Sequence, residues 1–217
     1  MGPRRLDTAS GRGANIEARL LGGDPSLPVV VVGAHYDSAR GTPGADDNAT
    51  GVAALLEIAA ALAESAPRRS VHFVAFANEE PPHFRTARMG SRQYAEGLKA
   101  EGVDVHAMLS LEMLGFFDSQ VGSQHLPMGL GLRFGTRGDY VAFVGRLDRR
   151  DEVADAVGAF RERGRVRAEG LAAPGWLEGV DFSDHLSFWK EGWPGVMVTD
   201  TAFLRNPHYH QPTDTPD

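Results

Sequence analysis

Residues 28–38 read P-V-V-V-V-G-A-H-Y-D-S, and this stretch decides the fold. Pro28 to Ala34 is an uninterrupted apolar run with four valines, the pattern of a strand buried on both faces of a parallel-type sheet. It ends at His35, so a chemically useful side chain stands where the strand passes into a loop. The arrangement recurs outward from there. Val71 to Ala77 is a second apolar run that leads into Glu79 and Glu80, and His106 to Leu111 is a third that leads into Glu112. Between them, Gly51 to Glu64 (G-V-A-A-L-L-E-I-A-A-A-L-A-E) is Ala/Leu-rich and closed by Pro67, as a helix should be. Ser91 to Glu101 reads as another helix. Strand, helix, strand, helix predicts an α/β three-layer sandwich, a mostly parallel mixed sheet with helices on both faces.

The flanks complete the layout. Ile16 to Leu21 reads as an edge strand, Tyr140 to Val144 as a strand, Glu152 to Arg163 as a helix, and Val196 to Thr199 as a late strand after the turn at Gly192 to Pro194. Gly115 to Gly138 is Gly-rich and without clean periodicity, and a long irregular loop in a compact domain is more often functional than accidental. Nothing repeats and no linker interrupts, so residues 1–217 read as one domain.

Composition narrows the chemistry. A formal net charge of -7, with Asp and Glu outnumbering Lys and Arg by 29 to 22, and no basic stripe, argues against a nucleic-acid partner. No apolar stretch reaches the roughly 18 residues needed to span a bilayer. Met1 to Gly13 is polar and basic rather than a signal peptide, which leaves the compartment between cytoplasm and export with a leader removed. The chain stops at Asp217 soon after a loop-like His210, with no helix to cover that segment, and is expected to continue in the natural protein. There are no cysteines, so any bound metal must be held by His and carboxylates, which suits a catalytic site better than a structural one.

Candidate ligands then gather at strand ends. In A-H-Y-D-S, Asp37 lies two residues from His35, on the same side of an extended chain, where it can accept from the imidazole and set its tautomer. The loop G-A-D-D-N-A-T-G, Gly44 to Gly51, has two adjacent acids where one helix cap would serve, which frees a carboxylate to bridge two cations. Glu79 and Glu80 repel one another at the mouth of an apolar strand unless a cation or a shared proton compensates. With metal present one can ligate while the other takes a proton from water. Glu112 ends another strand, and His210 lies in N-P-H-Y-H-Q-P-T-D-T with His208 as its competitor. Asp184 and His185, in F-S-D-H-L-S-F-W, read as a helix start with a buried structural or substrate-side role, and Trp176 as a flank for a substrate side chain.

The segments A-H-Y-D-S, G-A-D-D-N-A-T-G, F-A-N-E-E and Y-H-Q-P-T-D-T, in this order, resemble the co-catalytic zinc exopeptidases of the bacterial leucyl aminopeptidase and glutamate carboxypeptidase group, peptidase family M28. The resemblance implies two Zn2+ per chain and a metal-dependent exopeptidase, an aminopeptidase acting on peptide or aminoacyl substrates. It implies His35 and Glu112 as ligands of one zinc, Asp47 as the bridge, Glu80 and His210 as ligands of the other, Glu79 as general base, and Asp37 as support for His35. The family carries Asp or Glu at the position of Glu112. It also implies a cis peptide bond after Asp47. Two other readings stay open: a glutaminyl cyclase-like acyltransferase with one zinc, and a non-catalytic binding protein on the same fold. The sequence leaves side-chain preference and oligomeric state undecided.

Overall fold

The computed structural model describes residues 6–7, 13–127 and 129–216. Along them run β1 (Leu6–Asp7), β2 (Ala14–Leu20), β3 (Val29–His35), α1 (Gly51–Leu62), β4 (Val71–Phe76), α2 (Gly90–Ala100), β5 (Val105–Glu112), α3 (Gly131–Phe134), β6 (Tyr140–Arg146), α4 (Arg150–Arg163), β7 (Arg167–Ala173), α5 (His185–Lys190) and β8 (Val196–Thr199). The strands form one eight-stranded sheet in the order β1-β2-β4-β3-β5-β8-β6-β7. β3 pairs in parallel with β4 and β5, β5 with β8, and β6 with β7, whereas β1–β2, β2–β4 and β6–β8 are antiparallel. The mostly parallel mixed sheet predicted above is what forms.

Strand alternation divides the apolar runs between the two faces of the sheet. Val32 and Ala34 of β3, Phe73 of β4 and Val141 and Phe143 of β6 pack against Leu55 of α1 and Val153 and Val157 of α4. On the other face Val31 of β3 and Val74 and Phe76 of β4 pack against Tyr94, Ala95 and Leu98 of α2 and Phe188 of α5. Each fully buried Val or Leu contributes roughly 1.5–3 kcal/mol. A one-residue slip of β3 would exchange the two sets, so the register is held from both sides.

The ends differ from the sequence reading. The strand expected to lie at an edge, Ile16–Leu21, forms as β2, with β1 paired along its outer side. The other edge is β7, which carries no strand signal in the sequence: R-A-E-G-L-A-A is interrupted by Gly170 and carries Arg167 and Glu169, which pair with each other. An edge strand needs neither a continuous apolar run nor high β-propensity. Among the described residues no helix is long and apolar enough to cross a membrane.

The topology places the site. From β3 the chain crosses over α1 to β4 on one side, then over α2 to β5 on β3's other side, so the connections diverge between β3 and β5. In open α/β sheets that divergence opens a crevice at the carboxyl ends of the strands. His35 ends β3 and Glu112 ends β5.

Candidate metal centre

His35 and Glu112 flank the crevice, and the Gly44–Gly51 loop carries Asp47 between them. Gly44 has φ of 71°, and a Cβ there would collide with Ser38 Oγ, so glycine is needed for the turn. Asn48 anchors the loop to the end of β5: its Nδ2 donates to the Leu111 carbonyl at 2.8 Å, and its Oδ1 accepts from the Met113 amide at 3.0 Å. The Asp47–Asn48 peptide bond is cis.

Held this way, Asp47 divides its carboxylate. Oδ1 lies 3.3 Å from His35 Nε2, and Oδ2 lies 3.1 Å from His210 Nε2. His35 Nε2 is also 3.4 Å from Glu112 Oε2, and His210 Nε2 is 3.3 Å from Glu80 Oε2. His35, Asp47 and Glu112 thus form one cluster, and Asp47, Glu80 and His210 a second, each with ligand atoms within 4.8 Å of one another. His208 stays out of both; its Nδ1 meets Thr213 Oγ1 and its ring packs on Phe116.

Asp37 does more than the sequence asks of it. His35 Nδ1 lies 3.0 Å from the Asp37 backbone carbonyl and 3.6 Å from its carboxylate. That carboxylate instead accepts the backbone N–H groups of Glu79 and Glu80, each at 3.1 Å, and aims both residues at once. Ser183 Oγ donates to Glu112 Oε2 at 2.6 Å and in turn touches Ser110 Oγ at 2.8 Å, which fixes that carboxylate.

The electrostatics fit a cation. Burial works against a charged His35, yet Glu112, Asp37 and Asp47 outweigh it and hold its pKa well above the usual value. Hydrogen bonds to Asp47 and Glu80 raise His210 to about 10. Burial pushes the Glu79 carboxyl well up, helped by Glu112, Asp184 and Glu80 and opposed by His35. Burial likewise raises Glu112. Buried Glu80 Oε1 has no hydrogen-bond partner. Such an excess of buried negative charge, with an orphaned carboxylate oxygen in it, is what divalent cations neutralise, and the all-oxygen and imidazole donors suit zinc.

Of the two roles open to Asp184 and His185, burial favours the structural one, and Trp176 lies at the opposite extreme of exposure. Asp184 and His185 are fully buried and cannot touch substrate: β5, α2 and α5 close over that corner of the core. His185 Nε2 lies 2.9 Å from the Val180 carbonyl, and the ring stands edge-on to Trp189 at 4.5 Å. Trp176 is 81% exposed on the loop after β7 and is not among the residues that line the apolar cleft beside Glu112. The apolar cleft that starts at Glu112 is walled instead by Leu126, Leu130, Phe134, Leu177, Met197 and Phe203. Leu126, Leu130 and Phe134 of that wall come from the Gly115–Gly138 segment.

Burial lowers the His185 pKa to about 4, so its neutral form is the folded one. The associated stability is complete above the unfolded value near 6.5 and is lost as pH falls from there toward 4, on the order of 3 kcal/mol. His185→Gln keeps a donor for Val180 and should flatten the loss measured by urea melts across that window.

The sequence alone assigns no role to one residue inside the Y-H-Q-P-T-D-T segment. Tyr209 stacks on His210 with ring centroids 3.9 Å apart, lines the cleft, and is raised in pKa by burial and by Asp47, Glu112, Glu80 and Glu79. Its place beside His210 in the chain was the available signal.

A family model described as peptidase family M28 matches residues 15–217. The uncharacterized protein YfbL of Escherichia coli (strain K12) is 43% identical over 199 residues, which cover 88% of this chain and 61% of that protein. The probable lipoprotein aminopeptidase LpqL of Mycobacterium tuberculosis (strain ATCC 25618 / H37Rv) is 32% identical over 225 residues, 97% of this chain and 42% of that protein. The chain therefore spans less than two thirds of either relative's length. The LapA aminopeptidase of Legionella pneumophila superposes with a TM-score of 0.73 at 20% identity, over 100% of this chain and 53% of that one, a likeness of fold. With a match over nearly its whole length, the chain belongs to peptidase family M28.

Proposed function

We propose that this protein is a zinc aminopeptidase that uses two ions. The observation that carries the reading is the division of the Asp47 carboxylate between His35 and His210, one oxygen toward each donor cluster. Zinc bound there supplies Lewis acidity to water and to the scissile carbonyl. Glu79 accepts the proton as water adds to the carbonyl carbon, and returns it to the amine as the C–N bond breaks. Its raised pKa suits that exchange. The Tyr209 phenol, kept protonated, donates toward the oxyanion. The excess of carboxylates at the Glu112 end of the cleft draws a free α-ammonium. The apolar wall takes a large apolar N-terminal side chain.

The relative LpqL, a probable lipoprotein aminopeptidase, accords with this activity. The one-zinc cyclase reading is weaker here because both donor clusters are complete, and the non-catalytic reading because Glu79 sits beside them.

A substrate panel tests the proposal. Leucyl and phenylalanyl p-nitroanilides should be cleaved, blocked N-acetyl forms should not, and chelator should remove the activity until Zn2+ is restored. Ring closure of a glutamine-led peptide in preference to hydrolysis of a leucine-led one would overturn it.

A further inference from the structure

Asp214 receives three successive amides from the far end of the chain. The Asp46 N–H donates to its Oδ1 at 2.9 Å, the Asp47 N–H to its Oδ2 at 3.1 Å, and the Ala45 N–H to its backbone carbonyl at 3.2 Å. Asp214 is only 3% exposed. A second tie joins the same segments: Asn206 Nδ2 donates to Asp46 Oδ2 at 2.7 Å, while Asn206 Oδ1 accepts the His208 N–H at 2.8 Å. Residues 206–214 carry Tyr209 and His210. That segment is therefore fastened at both ends to the loop that carries Asp47.

The two donor clusters depend unequally on these ties. His35 and Glu112 stand at the ends of strands and are aimed by the sheet. Glu80 is aimed by Asp37. Asp47 and His210 lie outside the sheet on irregular backbone, His210 with φ of 55°. Only Asp47 of the first cluster leans on the ties, but both Asp47 and His210 of the second do.

We infer that Asp214, with Asn206, is a positioning residue for the second metal site: it fixes the aim of His210 relative to Asp47 and so sets the affinity of the Asp47, Glu80 and His210 cluster selectively. This rests on the two-ion reading above. A carboxylate accepts both amides with charge assistance. Asp214→Asn keeps the shape but replaces one acceptor with an N–H2 that faces a backbone N–H. One hydrogen bond is lost, and two donors are left pointing at each other.

The test is a Zn2+ titration of the full chain, stripped of metal, against a chromophoric competitor chelator. Glu80→Gln identifies which affinity belongs to the second cluster. Asp214→Asn should weaken that affinity by about 10–100-fold, the usual effect of removing an outer support, and leave the first nearly unchanged. Thr213→Ala, which cuts only the bond to His208, should leave both unchanged. Equal weakening of both sites by Asp214→Asn, or none, overturns the inference. If circular dichroism shows Asp214→Asn unfolded, Asn206→Ala replaces it and is held to the same outcomes. A wild-type chain that binds a single ion would instead overturn the two-ion reading.

Discussion

Asp47→Asn is expected to abolish measurable peptide hydrolysis and, on the proposed two-ion reading, to lower the zinc content from two ions per chain to less than one. The carboxylate is shared by both donor clusters, with Oδ1 3.3 Å from His35 Nε2 and Oδ2 3.1 Å from His210 Nε2. An amide keeps one oxygen and turns a donor N–H2 toward the other ion. It also removes the one negative charge common to both sites. Outer supports of metal ligands cost about 10–100-fold in affinity when lost, and a shared direct ligand should cost more than that at each site. Fold should survive, because Asn48 and Gly44, not the Asp47 carboxylate, set the turn. Metal analysis after dialysis, with a thermal melt alongside, reads both quantities. Retention of two ions in Asp47→Asn would refute the bridge.

Glu79→Gln should separate chemistry from metal binding. The Glu79 side chain belongs to neither donor cluster, while its backbone, like that of Glu80, is held by Asp37. Gln fits the same space but cannot take a proton. Turnover should fall by about 10²–10⁴-fold, the usual contribution of a positioned general base, with zinc content unchanged. KM should move little, since an interaction used only in the transition state is what is lost. Glu80→Gln should behave differently, losing the second ion along with activity. Equal loss of zinc in both variants would sink the division of labour between these neighbours.

Much of the site is legible because strand ends announce it. His35, Glu80 and Glu112 follow apolar runs, and parallel strands bring their carboxyl ends to one edge of the sheet. The pattern of residue types, taken in order, resembles one family over nearly the whole chain. By contrast the sequence leaves Asp184 and His185 between a buried structural and a substrate-side role, and both sit in the core, because the packing of a short helix cannot be read from six residues. Trp176 has the composition of a cleft wall and points into solvent. Tyr209 opens the Y-H-Q-P-T-D-T segment, but its stacking on His210 and its place in the cleft appear only in the structure.

Apolar periodicity by itself determined the α/β sandwich and the main strands and helices, and the residues at the ends of those runs declared the chemical type of each ligand. These are local properties, carried by neighbours a few residues apart. Only the tertiary structure decided that Asp37 clamps two amides 42 and 43 positions away, that Asp214 holds two others 167 and 168 positions away, and that an interrupted segment closes the sheet as β7. A single hydrogen bond between distant segments leaves no period in the sequence. Its partner is chosen by the folded backbone, which brings the two groups together only after the sheet has formed.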